Sequence, residues 1–251
     1  MPTRDGYAEG IPSWVDLVTT DVEGARSFYG ALFGWEYRGE DVGSGPYTMA
    51  YRNGQVAAGL GPLQGEASPF WTSYFAVDDA DRTAHAIEEH GGHLLSGPGD
   101  VADAGRMAMA TDPAGAVFGI WQAGRHFGAA IVNEHGGLNW NELITDDIDA
   151  VAPFYQSVFG YEVEPEDGYR MFRVEGREVA GGGNKPRPDI PNHWNVYFAV
   201  ADMPAAIAAT ESGGGAIVIE PREAEGVGVI ARISDPQGAA FNIIELAVEI
   251  D

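Results

Sequence analysis

The chain has 251 residues, 45% hydrophobic and 11% aromatic, enough apolar material for one large domain or two smaller ones and too much for wholesale disorder. Fourteen basic residues against 38 acidic ones leave a formal charge of −24, and no basic patch with interleaved aromatics occurs, so nucleic acid is excluded as a partner. With no cysteine, no apolar run of about 18 residues and no apolar leader in the opening MPTRDGYAEGIPSW, the chain excludes disulfide, thiolate and membrane-spanning chemistry, and the expectation is a cytoplasmic protein.

From the N-terminus, Trp14–Thr19 alternates as a half-buried strand does. Thr20-x-x-Glu23 reads as a capping box at the start of a helix, with Asp21 also at the helix start. Ala25, Phe28, Tyr29, Leu32 and Phe33 then fall on one helical face, and Gly34 supplies the left-handed end. Short strands are predicted around Tyr47–Tyr51, Gln55–Leu60 and Thr72–Val77. A second helix runs from about Ala80 to Gly91-Gly92, and three strands follow near His93–Leu95, Arg106–Thr111 and Ala116–Gln122. Residues 124–137 read as a linker.

The whole set then repeats. PSWVDLVTTDVEGARSFYGALFGWEY (12–37) answers LNWNELITDDIDAVAPFYQSVFGYEV (138–163), pairing Trp14 with Trp140, Asp16 with Glu142, Asp21 with Asp147, and Phe28-Tyr29 with Phe154-Tyr155. Further on, WTSYFAV (71–77) answers WNVYFAV (194–200), and Asp112-Pro-x-Gly answers Asp235-Pro-x-Gly. Ordered matches over the full length identify a tandem duplication. In the second copy Val151, Phe154, Tyr155, Val158 and Phe159 repeat the helical face, and Pro153 is placed near the first turn.

A strand reaching an Asp, then x-x-x-A-x-x-F-Y-x-x-x-F-G, then D-P-x-G before an apolar strand, resembles the vicinal-oxygen-chelate (glyoxalase/bleomycin-resistance/dioxygenase) superfamily. The likeness covers nearly the whole chain and is most similar to tandem glyoxalase-related proteins with Trp-x-Asp/Glu-Leu in the first strand. The fold class it implies is α+β. Two tandem glyoxalase-like domains, 1–125 and 126–251, would each be a pair of βαβββ modules forming a cupped mixed sheet with a ligand inside. Fold alone does not assign a function, since this scaffold hosts lyases, dioxygenases, epimerases, thiol transferases and drug-sequestering proteins.

Most enzymes of that superfamily hold a divalent metal in the cup. Counting from local landmarks, the resemblance places the ligand positions at Trp14, Thr72 and Gly119 in copy one and at Trp140, Asn195 and Asn242 in copy two. The remaining position falls in 56–60 and 179–183, runs without a side-chain ligand. Indole cannot ligate, and a divalent cation of this type wants imidazole or carboxylate. Exchanging halves between copies gives Trp14/Asn195/Asn242 or Trp140/Thr72/Gly119, neither of them a site. The expectation is therefore no cofactor and no metal. The alternative is a displaced divalent site built on Glu142 and His193, which share faces with Trp140 and Asn195 and lack a third ligand.

The same alternation turns Trp14, Asp16, Thr72, Tyr74 and Trp121 into the first cup, and Trp140, Glu142, Asn195, Tyr197, Asn242 and Ile244 into the second. Aromatic walls with a few convergent polar groups suit a planar aromatic or polyketide-like ligand. Asp16, Glu142 and His193 are the candidate catalytic residues, because burial raises a carboxyl towards the range useful for moving protons. Trp14, Thr72, Tyr74, Trp121, Trp140, Asn195, Tyr197 and Asn242 are the candidate ligand contacts. The plain readings stand beside these: both indoles plug their cups as core, and both carboxylates make structural bonds to a neighbouring Tyr or Asn. Phe28, Tyr29, Phe154 and Tyr155 read as helix–sheet packing, and Asp112 and Asp235 as turn formers. His85, His90, His126 and His135 read as solvent-facing, and Gly59-x-Gly61 and Gly181-Gly182-Gly183 as strand-end or turn glycines, not phosphate loops. Three functions follow: a metal-independent small-molecule binder or a cofactor-free lyase, isomerase or cyclase; a metal-dependent lyase or ring-cleaving dioxygenase; or an interaction module with both cups filled. The expected partner is a small-molecule ligand or substrate, the expected state monomer or homodimer.

Overall fold

In the computed structural model, which describes residues 4–41, 46–166 and 168–247, each copy folds into one eight-stranded mixed sheet. Residues 1 and 251 of the predicted domain bounds, and the first three residues of the stretch read as leaderless, lie outside the described residues. Copy one runs β1 (Pro12–Thr19), α1 (Val22–Phe33), β2 (Glu36–Asp41), β3 (Pro46–Arg52), β4 (Gln55–Pro62), β5 (Phe70–Ala76), α2 (Ala80–Glu89), β6 (His93–Val101), β7 (Gly105–Thr111) and β8 (Val117–Ala123). Copy two runs β9 (Leu138–Thr145), α3 (Ile148–Phe159), β10 (Glu162–Glu166), β11 (Tyr169–Val174), β12 (Arg177–Asn184), β13 (His193–Ala199), α4 (Met203–Ser212), β14 (Ala216–Ala224), β15 (Gly228–Ser234) and β16 (Ala240–Leu246). The strand orders, β2-β3-β4-β1-β5-β8-β7-β6 and β10-β11-β12-β9-β13-β16-β15-β14, are the same path traced twice. Each sheet is the predicted pair of βαβββ modules, joined where β1 meets β5 and where β9 meets β13, antiparallel. Both halves of each sheet come from one copy, so the exchanged position sets are not brought together.

Local chemistry sets the helix ends. The N-cap of α1 is Asp21, not Thr20: its carboxylate accepts from the Gly24 amide at 2.9 Å, so the cap sits one residue past the predicted box. Asp147 caps α3 in the same way, accepting from Asp149 and Ala150. Gly34 closes α1 with φ 68°, the left-handed geometry a side chain resists. Pro153 lies inside α3, beyond the first turn where it was expected. It is on the exposed face, where the Asp149 carbonyl that loses a donor meets water.

Alternation along β1 sends Val15 and Leu17 to the convex face and Trp14 and Asp16 to the concave one. The convex faces meet back to back, and each of the two main cores draws on both copies. One packs α1, Leu60 and Trp71 against Phe198, Met203, Phe241 and Ile243. The other packs α2, Phe75, Phe118 and Ile120 against Phe154, Tyr155, Phe172 and Trp194. The F-Y pairs and the D-P-x-G turns therefore do more than pack and turn. Trp71 donates to the Tyr29 hydroxyl at 3.0 Å, and Tyr29 donates to Asp235 Oδ2 at 3.0 Å. Trp194, Tyr155 and Asp112 repeat the relay at 3.0 and 2.9 Å. Each Asp also caps its own turn through two backbone amides. Two buried Trp–Tyr–Asp chains thus tie copy to copy, one in each main core. Among the described residues no helix is long and apolar enough to cross a membrane.

Candidate functional site

The second concave face holds a cavity of about 780 Å³. The register of the sheet assembles it. Trp140 pairs with Tyr197 across the β9–β13 ladder and Glu142 with Asn195, so an aromatic row lies next to a polar row. Trp140 lines the cavity half-buried, its indole N–H donating to the Tyr169 hydroxyl at 3.2 Å. Glu142 also faces the cavity and is held from behind: Tyr197 O–H donates to its Oε2 at 2.7 Å and Asn195 Nδ2 at 3.2 Å. Burial, and then the Glu142 carboxylate beside it, push the Tyr197 phenol well above its ordinary pKa, so Tyr197 serves as a hydrogen-bond donor and not as an anion. Tyr169, Met171, Ile230, Ile244 and Leu246 complete the walls.

The first concave face is built on the same plan and filled from within. Trp14 is 3% exposed and is buried together with Met49, Tyr74, Trp121 and Ala129. Its indole donates to Tyr47 at 3.1 Å, and His126 of the linker packs edge-on against its ring at 4.4 Å between centroids. Trp121 is tied to the same segment through the His126 carbonyl at 2.7 Å. Asp16 is buried beneath them. Its Oδ2 accepts from Tyr47 at 3.2 Å and from Tyr74 at 3.1 Å, while Oδ1 is buried with no partner among the described residues. Burial pushes the carboxyl up to about 6, against contacts with Tyr74, Tyr47 and Thr72 that pull it down. His126 is the opposite case, drawn down to about 4 by burial, so its reading as solvent-facing is corrected. His135 is likewise half-buried, accepting from the Ala201 amide at 3.1 Å.

The counted metal positions carry the wrong side chains, and other groups occupy their space. In copy one the Tyr74 ring lies over Gly119 so closely that a Cβ there would fall inside it, and the Tyr47 hydroxyl covers Gly59. In copy two Tyr169 covers Gly181. These glycines are interior to β4, β8 and β12, not at strand ends, because a tyrosine needs the surface they leave bare. Glu142 and His193 flank Asn195: His193 Nε2 is 2.9 Å from Asn195 Oδ1, and Asn195 Nδ2 is 3.2 Å from Glu142. An amide stands between the two groups of the displaced site. Among the described residues no three His, Cys, Asp or Glu side chains converge, and the donors present do not fit a divalent cation of the kind the fold family holds.

Of the candidate residues, Trp140, Glu142 and Tyr197 line the cavity, with Asn195 supporting Glu142. Asn242 lies beside Tyr197 in the ladder, 4% exposed. His193 stands beyond Asn195, its Nδ1 2.8 Å from the Pro191 carbonyl and its pKa lowered by burial. Trp14, Asp16, Thr72, Tyr74 and Trp121 are grouped in the filled cup. The sequence reading missed Tyr7, Val132, Asn133, Tyr169 and Arg177 of the cavity wall. Tyr169 had a signal, a tyrosine facing an unbroken glycine run. Tyr7 and Val132 had none, because they reach the second cup from the N-terminal segment and the linker.

Residues 11–120 match the family described as Glyoxalase/Bleomycin resistance protein/Dioxygenase superfamily, and residues 142–244 match the Glyoxalase-like domain. The chain is 43% identical over 258 residues to "Putative glyoxylase CFP32" of Mycobacterium tuberculosis, covering 98% of this chain and 99% of that one. It is 34% identical over 265 residues to the Anthracycline biosynthesis protein DnrV of Streptomyces peucetius, covering 96% and 94%. Among solved structures the Mn(II)-bound glyoxalase from Novosphingobium aromaticivorans superposes with a TM-score of 0.68 at 15% identity, covering 97% of this chain and 87% of that one, which shows a shared fold.

Proposed function

Because the chain belongs to the glyoxalase/bleomycin resistance protein/dioxygenase superfamily, we propose that it is a small-molecule protein with one working cup, the second, which takes a planar aromatic ligand without a metal. The observation that carries this reading is the contrast between two copies of one plan. The first copy closes its concave face with Trp14, Trp121 and His126, and the second keeps about 780 Å³ open between Trp140, Tyr169 and Tyr197. A flat ligand stacks on such rings at little entropic cost to the protein, since the side chains are already fixed by hydrogen bonds. The name of the Streptomyces peucetius relative, an anthracycline biosynthesis protein, supports a polycyclic aromatic ligand. Glu142, pinned through one oxygen, is the group placed to accept a proton from such a ligand, so a cofactor-free lyase, isomerase or cyclase reaction would begin there.

The test is a fluorescence titration of the purified protein with 1,8-dihydroxyanthraquinone. One equivalent is expected to bind, W140A to weaken binding at least tenfold, and Y74F in the filled cup to leave it unchanged. Two equivalents bound, or a W140A affinity equal to that of the parent, overturns the assignment to the second cup. Stoichiometric Mn, Fe, Ni or Zn in protein purified without chelator overturns the metal-free part.

A further inference from the structure

The second cup contains a cation that the first does not. Arg232 on β15 occupies the place of Met109, and Asn242 that of Gly119, because each pair holds equivalent rungs of the two sheets. Arg232 is half-buried, yet it forms no ion pair among the described residues. Other half-buried arginines of the same chain do better: Arg106 and Arg173 each bridge two carboxylates. In a protein with 38 acidic residues, a half-buried guanidinium with no carboxylate in contact is an anomaly. Its contacts are neutral, an N–H donated to Asn195 Oδ1 and an Nη2 3.4 Å from His193 Nε2. Glu142 is the carboxylate whose charge reaches Arg232, but it makes no contact with the guanidinium, and its Oε2 accepts from Asn195 and Tyr197 instead.

A second group beside it lacks a partner as well. The Nδ2 of Asn242 is a buried donor with no acceptor among the described residues, on a side chain 4% exposed. Asn242 and Arg232 face each other directly across the β15–β16 ladder. Neither is part of the cavity wall itself; strand alternation places both on its face of the sheet, two residues along from Ile230 and Ile244, which line it. A guanidinium held only by neutral groups and an amide N–H with no acceptor among the described residues thus stand together behind the cavity wall. Leaving them so is unfavourable in a buried site, and an anionic oxygen satisfies both at once.

We propose that this end of the second cup is an anion subsite, where Arg232 and Asn242 take an acidic oxygen, a carboxylate or a phenolate, of the ligand whose aromatic body lies against Trp140, Tyr169 and Tyr197. The proposal rests on the aromatic-cup reading and narrows it: the ligand is an aromatic acid. A fixed positive charge then stands against Asn195 and Asn242, two of the three positions where metal-holding members of the family carry ligands.

The experiment is a pair of isosteric probes, anthraquinone-2-carboxylate and 2-(hydroxymethyl)anthraquinone, titrated at one ionic strength near 0.15 M so that the net charge of the protein is equally screened. The parent is expected to bind the carboxylate at least tenfold more tightly than the alcohol. R232M, which installs the residue of copy one, is expected to erase that preference while the alcohol binds within twofold of the parent, and N242L to reduce the preference. Arg232→Lys retains part of it and, being charged, serves if Arg232→Met does not fold. Equal binding of the two probes by the parent, or an undiminished preference in the folded Arg232 and Asn242 variants, overturns the anion subsite and leaves the aromatic cup standing. Failure of both probes to bind overturns the two together.

Discussion

Asp16 is the residue whose replacement tests the description of the first cup most sharply. It is a buried carboxyl beside Tyr47, Tyr74 and Thr72, with Oδ1 lacking a partner among the described residues, and burial holds its pKa near 6 against an ordinary 3.8. Since the folded value is the higher one, the folded chain keeps a proton between those limits that the unfolded chain has lost. The stability contributed by the carboxyl is complete below pH 3.8 and is lost as pH rises through about 6. At about 1.4 kcal/mol per tenfold, the interval amounts to about 3 kcal/mol by neutral pH. D16N removes the ionisation and leaves an acceptor for Tyr47 and Tyr74, so it should stabilise the protein, by about 1 kcal/mol at pH 4.5 and about 3 kcal/mol at pH 7.5. Urea unfolding followed by circular dichroism measures this as the difference between D16N and parent at the two pH values, which cancels the other titrating groups. Each core draws on both copies, so a single transition is expected. A difference that does not change with pH, or a D16N variant that grows less stable than the parent as pH rises, refutes the buried, strained carboxylate.

Two further substitutions test the framework. Y29F removes the hydroxyl that links Trp71 to Asp235, leaving a buried N–H and a carboxylate oxygen without that partner; a loss of about 1–3 kcal/mol in urea unfolding is expected, and no loss would sever the proposed tie between copies. G119A places a methyl inside the Tyr74 ring and should cost about 1–3 kcal/mol, much of it recovered when Y74A is added, a coupling that a double-mutant cycle reads directly.

What was legible in the sequence is what depends on neighbours a few residues apart. The strand alternation at Trp14–Thr19, the helical face from Ala25 to Phe33 and the glycine after it are local patterns, and the duplication displayed each of them twice. Even the errors were local: Asp21 outcompeted Thr20 as a cap because its carboxylate reaches the Gly24 amide. The asymmetry between the cups was not legible. Tyr29 and Asp235 are 206 positions apart, so nothing along the chain marks their bond or the cross-copy cores it belongs to. Trp14 and Trp140 occupy equivalent strand positions with the same indole, and their different exposure comes from what is laid over them. The charge of Arg232 was visible as a residue, but only the sheet shows that Asn195 and His193, and no carboxylate, are in contact with it.

One segment accounts for much of that asymmetry. The linker leaves β8, places His126 against Trp14 and Trp121, and is then fastened by Ala129 N to the Ser13 carbonyl at 2.8 Å and by Ala130 N to the Val56 carbonyl at 2.8 Å. It closes the first cup before it reaches β9. Its last residues, Val132 and Asn133, then form a wall of the second cup, beside Tyr7, whose hydroxyl donates to the Ala129 carbonyl at 2.6 Å. The N-terminal segment reaches the second cup too, through Arg4, Tyr7 and Ile11, but there it lines the cavity and leaves about 780 Å³ open. The connection between the copies thus fills the first cup with His126 and edges the second with Val132 and Asn133. The covalent join between the copies therefore also makes them chemically unequal, with the buried carboxylate in the sealed copy and a guanidinium held only by neutral groups in the open one.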